Sequence, residues 1–303
     1  MATSAQTHKL ASQSVFFQAV KTKLGQYWKL IKSLQTGLLL ATGMAGYVSF
    51  ACPVTNFSTL AALAGSLFLA ISGSTVLNMV YDRDIDARMG RTTGRPIPSG
   101  QISPRTGLIL GLGLSIAGVG WGLVLQPLFG LVVFAGLFFD VVVYTVWLKR
   151  RTPWSIIWGG ISGGMPVLAG RVLAVGEIDA VGLLLALGVL CWIPTHIMTF
   201  NVRYYDDYKR AGVPTFPSEY GFGVTRLIIA LASVLAAGSF GYAAFLIGLD
   251  WGYLRLLSVL SVGMFFLAGV SLIRPSEKVN FGLFKYASLY MLNTMLLILL
   301  QAI

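Results

Sequence analysis

The chain has 303 residues, of which 56% are hydrophobic and only 11% charged, with a formal net charge of +11. That balance excludes ordinary soluble domains, because several stretches of about 20 residues hold almost no charge, the length a helix needs to cross a bilayer core. Cys52 and Cys191, the only cysteines, sit in or beside apolar stretches and give neither a disulfide framework nor metal-ligand spacing.

Taken in chain order, residues 14–34, SVFFQAVKTKLGQYWKLIKSL, mix Phe, Leu, Trp and Lys at helical spacing. They read as an interfacial helix leading into the membrane, and the first 35 residues lack the sustained apolar core of a cleaved signal peptide. Nine apolar spans follow, at 37–56, 58–81, 105–125, 127–147, 154–175, 179–201, 224–248, 252–273 and 282–301. Lipid offers the backbone no hydrogen bonds, so the expectation is an all-α, polytopic membrane protein of nine transmembrane helices. Its parts are a cytoplasmic N-terminal segment (1–35) and one membrane domain (36–303). The 35 glycines, largely within the spans, suit close helix packing in lipid.

The basic excess is a matter of topology. Twenty of the 22 Lys and Arg residues fall in the N-terminal segment or in even-numbered connections, and only Arg171 and Arg255 fall elsewhere. The positive-inside rule then places the N-terminus and even-numbered connections in the cytoplasm and the C-terminus outside, in the cell membrane. A nucleic-acid partner is not expected.

The second span runs into NMVYDRDIDARMGRTTGRPIPSG (78–100). Asn78, Asp82 and Asp86 are four apart, so a continuing helix sets all three on one face. Carboxylates spaced so repel one another unless a cation lies between them, and Mg²⁺ is held by one or two acids with substrate phosphate completing its shell. Arg91 and Arg95 are placed to meet phosphate oxygens. A diphosphate site follows, with Asp84 turned away to pair with Arg83 or Arg88. The sixth span ends in a weaker copy, THIMTFNVRYYDDYKRAGVPTFP (195–217), which suggests a pseudo-repeat of four helices. Tyr205 and Lys209 stand where acids would, so Asp206 or Asp207 is the expected second metal ligand, with Asp207 favoured. Asn201, Arg203 and Lys209 are expected substrate contacts in the same loop.

Asn-x3-Asp-x3-Asp followed by Arg-Pro-x-Pro-x-Gly resembles the UbiA-type intramembrane prenyltransferases. Two further stretches, YTVWLKRRTPWSIIWGGISGGMPVLAGR (144–171) and the segment from His196 to Pro217, resemble their heme-prenylating branch. The resemblance implies nine helices around a cavity opening to lipid, with Mg²⁺ at the aspartate motifs holding farnesyl diphosphate. It implies transfer of the farnesyl group to a vinyl group of heme b with addition of water, giving heme O. Heme A synthase or a terminal oxidase are the implied assembly partners. Carried over by residue, Asn78, Asp82 and Asp86 match the metal motif, Arg91 and Arg95 its basic half, and Lys149, Arg150 and Arg151 the LKRRT loop. His196 and Asp207 match the family's His and Asp-Tyr positions. Where the family reads Lys-Pro-Arg before its first span, this chain reads KLIKSLQTG, and Pro-Pro-His is Pro194-Thr195-His196.

Departure of diphosphate leaves an allylic cation that needs aromatic or apolar walls, for which Tyr81, Tyr144 and Trp147 stand near. His196 is read as a heme-iron ligand, a propionate contact, an acid–base group or a hydrogen-bonded core residue. Asp140, inside the fourth span, is open between structural pairing and a cavity role. GGISGGMPVLAG reads as helix crowding around Pro166, since it lacks the Lys-Ser/Thr ending of a P-loop. Two rival readings remain: a UbiA-type transferase with a quinone or lipid glycerol-phosphate acceptor, and a secondary transporter. Against the transporter, the acids gather at one membrane face and the apparent repeat is parallel.

Overall fold

A computed structural model describes residues 17–18, 21–50 and 56–301 of the chain. Among the described residues there are helices and connections but no strands. Residues 21–30 form a first helix, occupying part of the expected interfacial stretch. After it come α1 (Ser33–Val48), α2 (Phe57–Tyr81) and the single turn α3 (Arg83–Asp86). Next are α4 (Pro104–Leu125), α5 (Pro127–Leu148), α6 (Ser155–Val175), α7 (Ala180–Arg203) and the short α8 (Tyr205–Ala211). The chain closes with α9 (Phe216–Ile247), α10 (Trp251–Ile273) and α11 (Glu277–Gln301).

Eight of these, α2, α4, α5, α6, α7, α9, α10 and α11, are long and apolar enough to cross a membrane. Among the described residues the expected ninth helix, at the first span, is not confirmed. The helix there, α1, begins at Ser33 and stops at Val48, 16 residues or about 24 Å at 1.5 Å per residue, short of a bilayer core. The rest of the expected span, with Cys52, includes residues outside those described. The multi-pass membrane character stands.

Local chemistry sets the helix ends. Asn56, Ser103 and Asp179 each accept a backbone N–H of the following turn, and Thr215 with Ser218 forms a reciprocal cap for α9. The break between α4 and α5 is Gln126, extended ahead of Pro127, as the short connection in the sequence suggested. Gly221, at φ 79° and ψ 167°, kinks α9 near its start, so the helix begins eight residues earlier than its apolar span.

Small residues decide which helices touch. Gly107, Gly111, Ser115, Gly118 and Gly122 form the buried stripe of α4, which lies against α2. A Cβ on Gly170 of α6 would collide with the Gly43 carbonyl of α1. Lipid gives helices no hydrophobic reason to associate, so close backbone contact through small residues is what binds them. The expected crowding around Pro166 is observed: a Cβ on Gly164 would sit 2.8 Å from the Ala186 carbonyl oxygen of α7. Helices α1, α2, α5, α6, α7 and α11 together enclose one large cavity.

The two motif loops share an architecture. Helix α2 breaks at Asp82 and resumes as α3, and α7 breaks at Tyr204 and resumes as α8. Across the first break the Asp82 N–H still donates to Asn78 O (2.9 Å) and the Asp86 N–H to Asp82 O (2.8 Å). The four-residue register therefore survives, and Asn78, Asp82 and Asp86 all line the cavity.

Candidate active site

The cavity has a volume of about 1050 Å³, and the Asp, Lys and Arg side chains that line it gather at one end. That end is built where α2 and α3 meet the end of α5. Asp82 and Asp86 are each 3% exposed, and a buried carboxylate demands a partner. Lys149, just past the end of α5, forms an ion pair with Asp82, and Arg95 donates to Asp86 Oδ2 at 2.6 Å. Burial pushes the Asp82 carboxyl above its usual range against the pull of Lys149. Burial also works to lower the Lys149 ammonium, but Tyr144 and Asp82 outweigh it, so Lys149 is held protonated. One oxygen, Asp82 Oδ1, is buried with no hydrogen-bond partner among the described residues.

Asn78 faces sideways into a polar knot. Its Nδ2 donates to Asp140 Oδ2 (2.8 Å), its Oδ1 accepts from Thr145 Oγ1 (2.8 Å), and Ser74 Oγ also donates to Asp140 Oδ2. Asp140 reaches this position where α5 widens into a π-helix over Phe138–Leu148, a form frequent at functional sites. The two readings of Asp140 are thus both realised: it pairs structurally and it lines the cavity.

Arg91 lies in an aromatic cage. Its guanidinium sits 4.8 Å from the Phe200 ring centroid, 5.6 Å from that of Tyr204 and 5.4 Å from that of Tyr208, and it donates to the Tyr208 hydroxyl at 3.0 Å. It thereby joins the first motif loop to the second across the cavity rim. Deeper in, His196 stacks between Trp192 (4.7 Å) and Phe284 (4.6 Å), with Nδ1 3.1 Å from Ser288 Oγ. It is the one titratable cavity-lining residue away from the polar end.

The LKRRT loop divides. Lys149 and Tyr144 line the cavity, but Arg150 clamps Asp84 (2.6 and 2.8 Å) and the Tyr81 carbonyl, with its guanidinium over the Tyr81 ring. Asp84 thus pairs with Arg150 and not with Arg83 or Arg88, because the α5–α6 connection packs onto α3. This contact holds the Asp84 carboxyl below its usual range. Arg151 is exposed and off the cavity wall.

The second loop falls short of the first. Asp206 is exposed, Asp207 is bonded to Arg210, and neither lines the cavity. Asn201 is buried behind the wall, Arg203 stacks over Phe281 at 3.7 Å, and Lys209 is exposed beside Tyr205. Among the described residues the cavity-lining carboxylates are Asp82 and Asp86 of the first loop and Asp140 of α5. At the first loop Asp82 Oδ1, which has no hydrogen bond and only Arg150 Nη2 at 3.8 Å, and the neighbouring Asp86 fit a hard cation.

Of the three expected aromatic wall residues only Tyr144 faces the cavity; Trp147 is 54% exposed on the outside and Tyr81 lies under Arg150. The aromatic wall comes instead from Trp192, Phe200, Tyr208 and Phe284. A signal was there: Trp192, His196, Phe200, Tyr204 and Tyr208 recur every four residues, the repeat of one helix face.

A membrane bundle whose apolar cavity ends in buried acids and cations is built to hold an oily molecule by an anionic head. The chain belongs to the UbiA prenyltransferase family, whose model matches residues 39–289, and it is an enzyme of that class. A protoheme IX farnesyltransferase of Korarchaeum cryptofilum is 41% identical over 72% of this chain and 74% of its own length. A protein of the same name from Pyrobaculum neutrophilum is 35% identical over 88% and 95%. The fold matches a UbiA homologue from Archaeoglobus fulgidus bound to DMAPP and Mg²⁺, with a TM-score of 0.69 over 90% of this chain and 99% of the other at 16% identity.

Proposed function

We propose that the protein transfers a farnesyl group from farnesyl diphosphate to the vinyl group of heme b, with Mg²⁺, to give heme O. The observation that carries this reading is the pairing of Asp82 with Lys149 and Asp86 with Arg95 at the charged end of a largely apolar cavity. The names of the two relatives favour heme as acceptor over a quinone or a lipid glycerol phosphate.

In this mechanism Lys149 and Arg95 meet the negative charge that grows on the departing diphosphate, in a site too buried for water to screen it. Asp82 and Asp86 are the residues that would hold Mg²⁺, which would supply further positive charge against the leaving group. Tyr144, Phe200 and Phe284 offer ring faces to the allylic cation, and the surrounding apolar wall keeps it from premature capture by water. His196, braced by Ser288, faces the acceptor. The enzyme sits in the cell membrane with the N-terminus, residues 1–35, and the motif loops on the cytoplasmic side.

The test supplies purified protein in detergent with heme b, farnesyl diphosphate and Mg²⁺ and reads products by mass spectrometry. A farnesylated, hydrated heme is expected, with at least a hundredfold loss in Asp82→Ala, as removal of a charge-stabilising group commonly costs. Untouched heme together with bound diphosphate would overturn the acceptor but leave the transferase.

A further inference from the structure

Helix 21–30 turns into α1 at Lys32, whose backbone lies at φ 45° and ψ 58°. No other described non-glycine residue has a positive φ. Lysine gains nothing from this conformation, which Gly and Asn take at least cost, and such strain persists only where surrounding structure imposes it. The turn is held on both sides: the Lys32 N–H donates to Lys29 O, the Thr36 N–H to Lys32 O, and the buried Thr36 Oγ1 to Ile31 O. Its effect is to bring a cationic side chain to the wall of the cavity.

The charged groups facing Lys32 are Arg95, Lys149, Asp140 and Asp86. Each of the four already has a partner: Arg95 has Asp86, Lys149 has Asp82, and Asp140 takes Ser74 and Asn78. Among the described residues Lys32 itself has no ion pair and no side-chain hydrogen bond. Burial, then the charges of Arg95 and Lys149, pull its ammonium down to about 8. Among the described cavity-lining cations Arg91 too lacks a carboxylate, but it is held by three aromatic rings and the Tyr208 hydroxyl, whereas the Lys32 ammonium has no bonded partner of any kind.

Building on the diphosphate reading above, we propose that Lys32 is a substrate-binding residue. It forms the third cationic arm on the diphosphate beside Lys149 and Arg95, held in place by the left-handed turn. The missing counter-charge is then the substrate's own, and the strain serves placement. The residue comes from the segment before α1, well away from both aspartate loops in the chain.

The experiment titrates inorganic diphosphate with Mg²⁺ into the full-length protein in detergent by calorimetry, with melting temperature measured alongside. Lys32→Gly removes the side chain and relieves the backbone; Lys32→Arg keeps the charge. The expected result is a Gly variant that melts no lower than wild type yet binds diphosphate at least tenfold more weakly, with Arg recovering most of the affinity. Wild-type affinity in Lys32→Gly overturns the proposal, as does a loss in Gly that Arg does not restore. If wild type binds diphosphate, Asp82→Ala does not, and Lys32→Gly binds normally, only the role of Lys32 falls. If wild type binds none, the diphosphate reading falls with it.

Discussion

Asp140 shows how one residue can fix the neighbours of a site. Its carboxylate holds the Asn78 amide and the Ser74 hydroxyl, and its carbonyl accepts from Thr145, which in turn donates to Asn78. Asn78 thereby stays one turn from Asp82 in a fixed rotamer, while the turn of α3 carries Asp86 alongside. Residues that orient ligands behind a metal site commonly cost about 10- to 100-fold in activity or metal affinity when removed. Asp140→Ala is expected to lower prenyl transfer by that order and to raise the Mg²⁺ needed for half-maximal rate, while the protein still folds. A kinetic titration of Mg²⁺ checks it, and an unchanged Mg²⁺ requirement would assign Asp140 to packing. The aspartate spacing was readable in the sequence because a four-residue repeat needs only helix geometry. The neighbours of those acids were not, because Lys149 and Arg95 reach them from other elements.

At the scale of elements, the bundle depends on a few contacts too close for any side chain. Helix α1 is short and meets α6 where Gly43 and Gly170 face each other. Gly170→Val would force the two backbones apart, and overpacking of this kind costs about 1–3 kcal/mol. The expected outcome is a lower melting temperature and a displaced α1, and with it a weakened diphosphate site, since Lys32 precedes α1 directly. Thermal unfolding in detergent reads the first effect and diphosphate titration the second. Gly120→Val, with open space around it, serves as the control and should change neither. Hydropathy located the spans to within a few residues, except where geometry intervened: α9 starts early through its kink at Gly221, and α1 stops at Val48. The π-helical end of α5 could not be foreseen, because its sequence, FFDVVVYTVWL, reads as one more apolar span.

Across the whole molecule the charges gather at opposite ends for different reasons. Lys32, Arg95, Lys149 and Arg150 gather around Asp82, Asp84 and Asp86. At the other end stands Arg171, one of the two basic residues outside the basic connections. It is 7% exposed and donates to Asp179 Oδ2 (2.7 and 3.0 Å) and to the Ser49 carbonyl (2.7 Å). Burial raises the Asp179 carboxyl, but Arg171 and the Gly182 N–H outweigh it and hold it below the usual range. The pair ties the end of α1 to the α6–α7 connection. Removing one partner of such a buried pair costs about 3–5 kcal/mol. Arg171→Ala should therefore lower the melting temperature sharply, yet leave diphosphate affinity unchanged in the fraction that stays folded, because the cavity's polar end lies at the other face. Calorimetry on detergent-purified protein separates the two effects.

The sequence by itself determined the membrane class, most of the helix boundaries, and the placing of Asn78, Asp82 and Asp86 on one cavity-facing line. Each of these follows from a local period or a local composition, and lipid leaves the backbone few alternatives. Tertiary structure alone decided which basic residues serve those acids. It put Lys149 in the site and Arg150 on Asp84, left Asp206 and Asp207 outside the cavity, and brought Lys32 in through a left-handed turn. Such choices rest on helix rotation and on how closely neighbouring helices approach. Those quantities are fixed by side chains meeting across the bundle, and no single segment contains them.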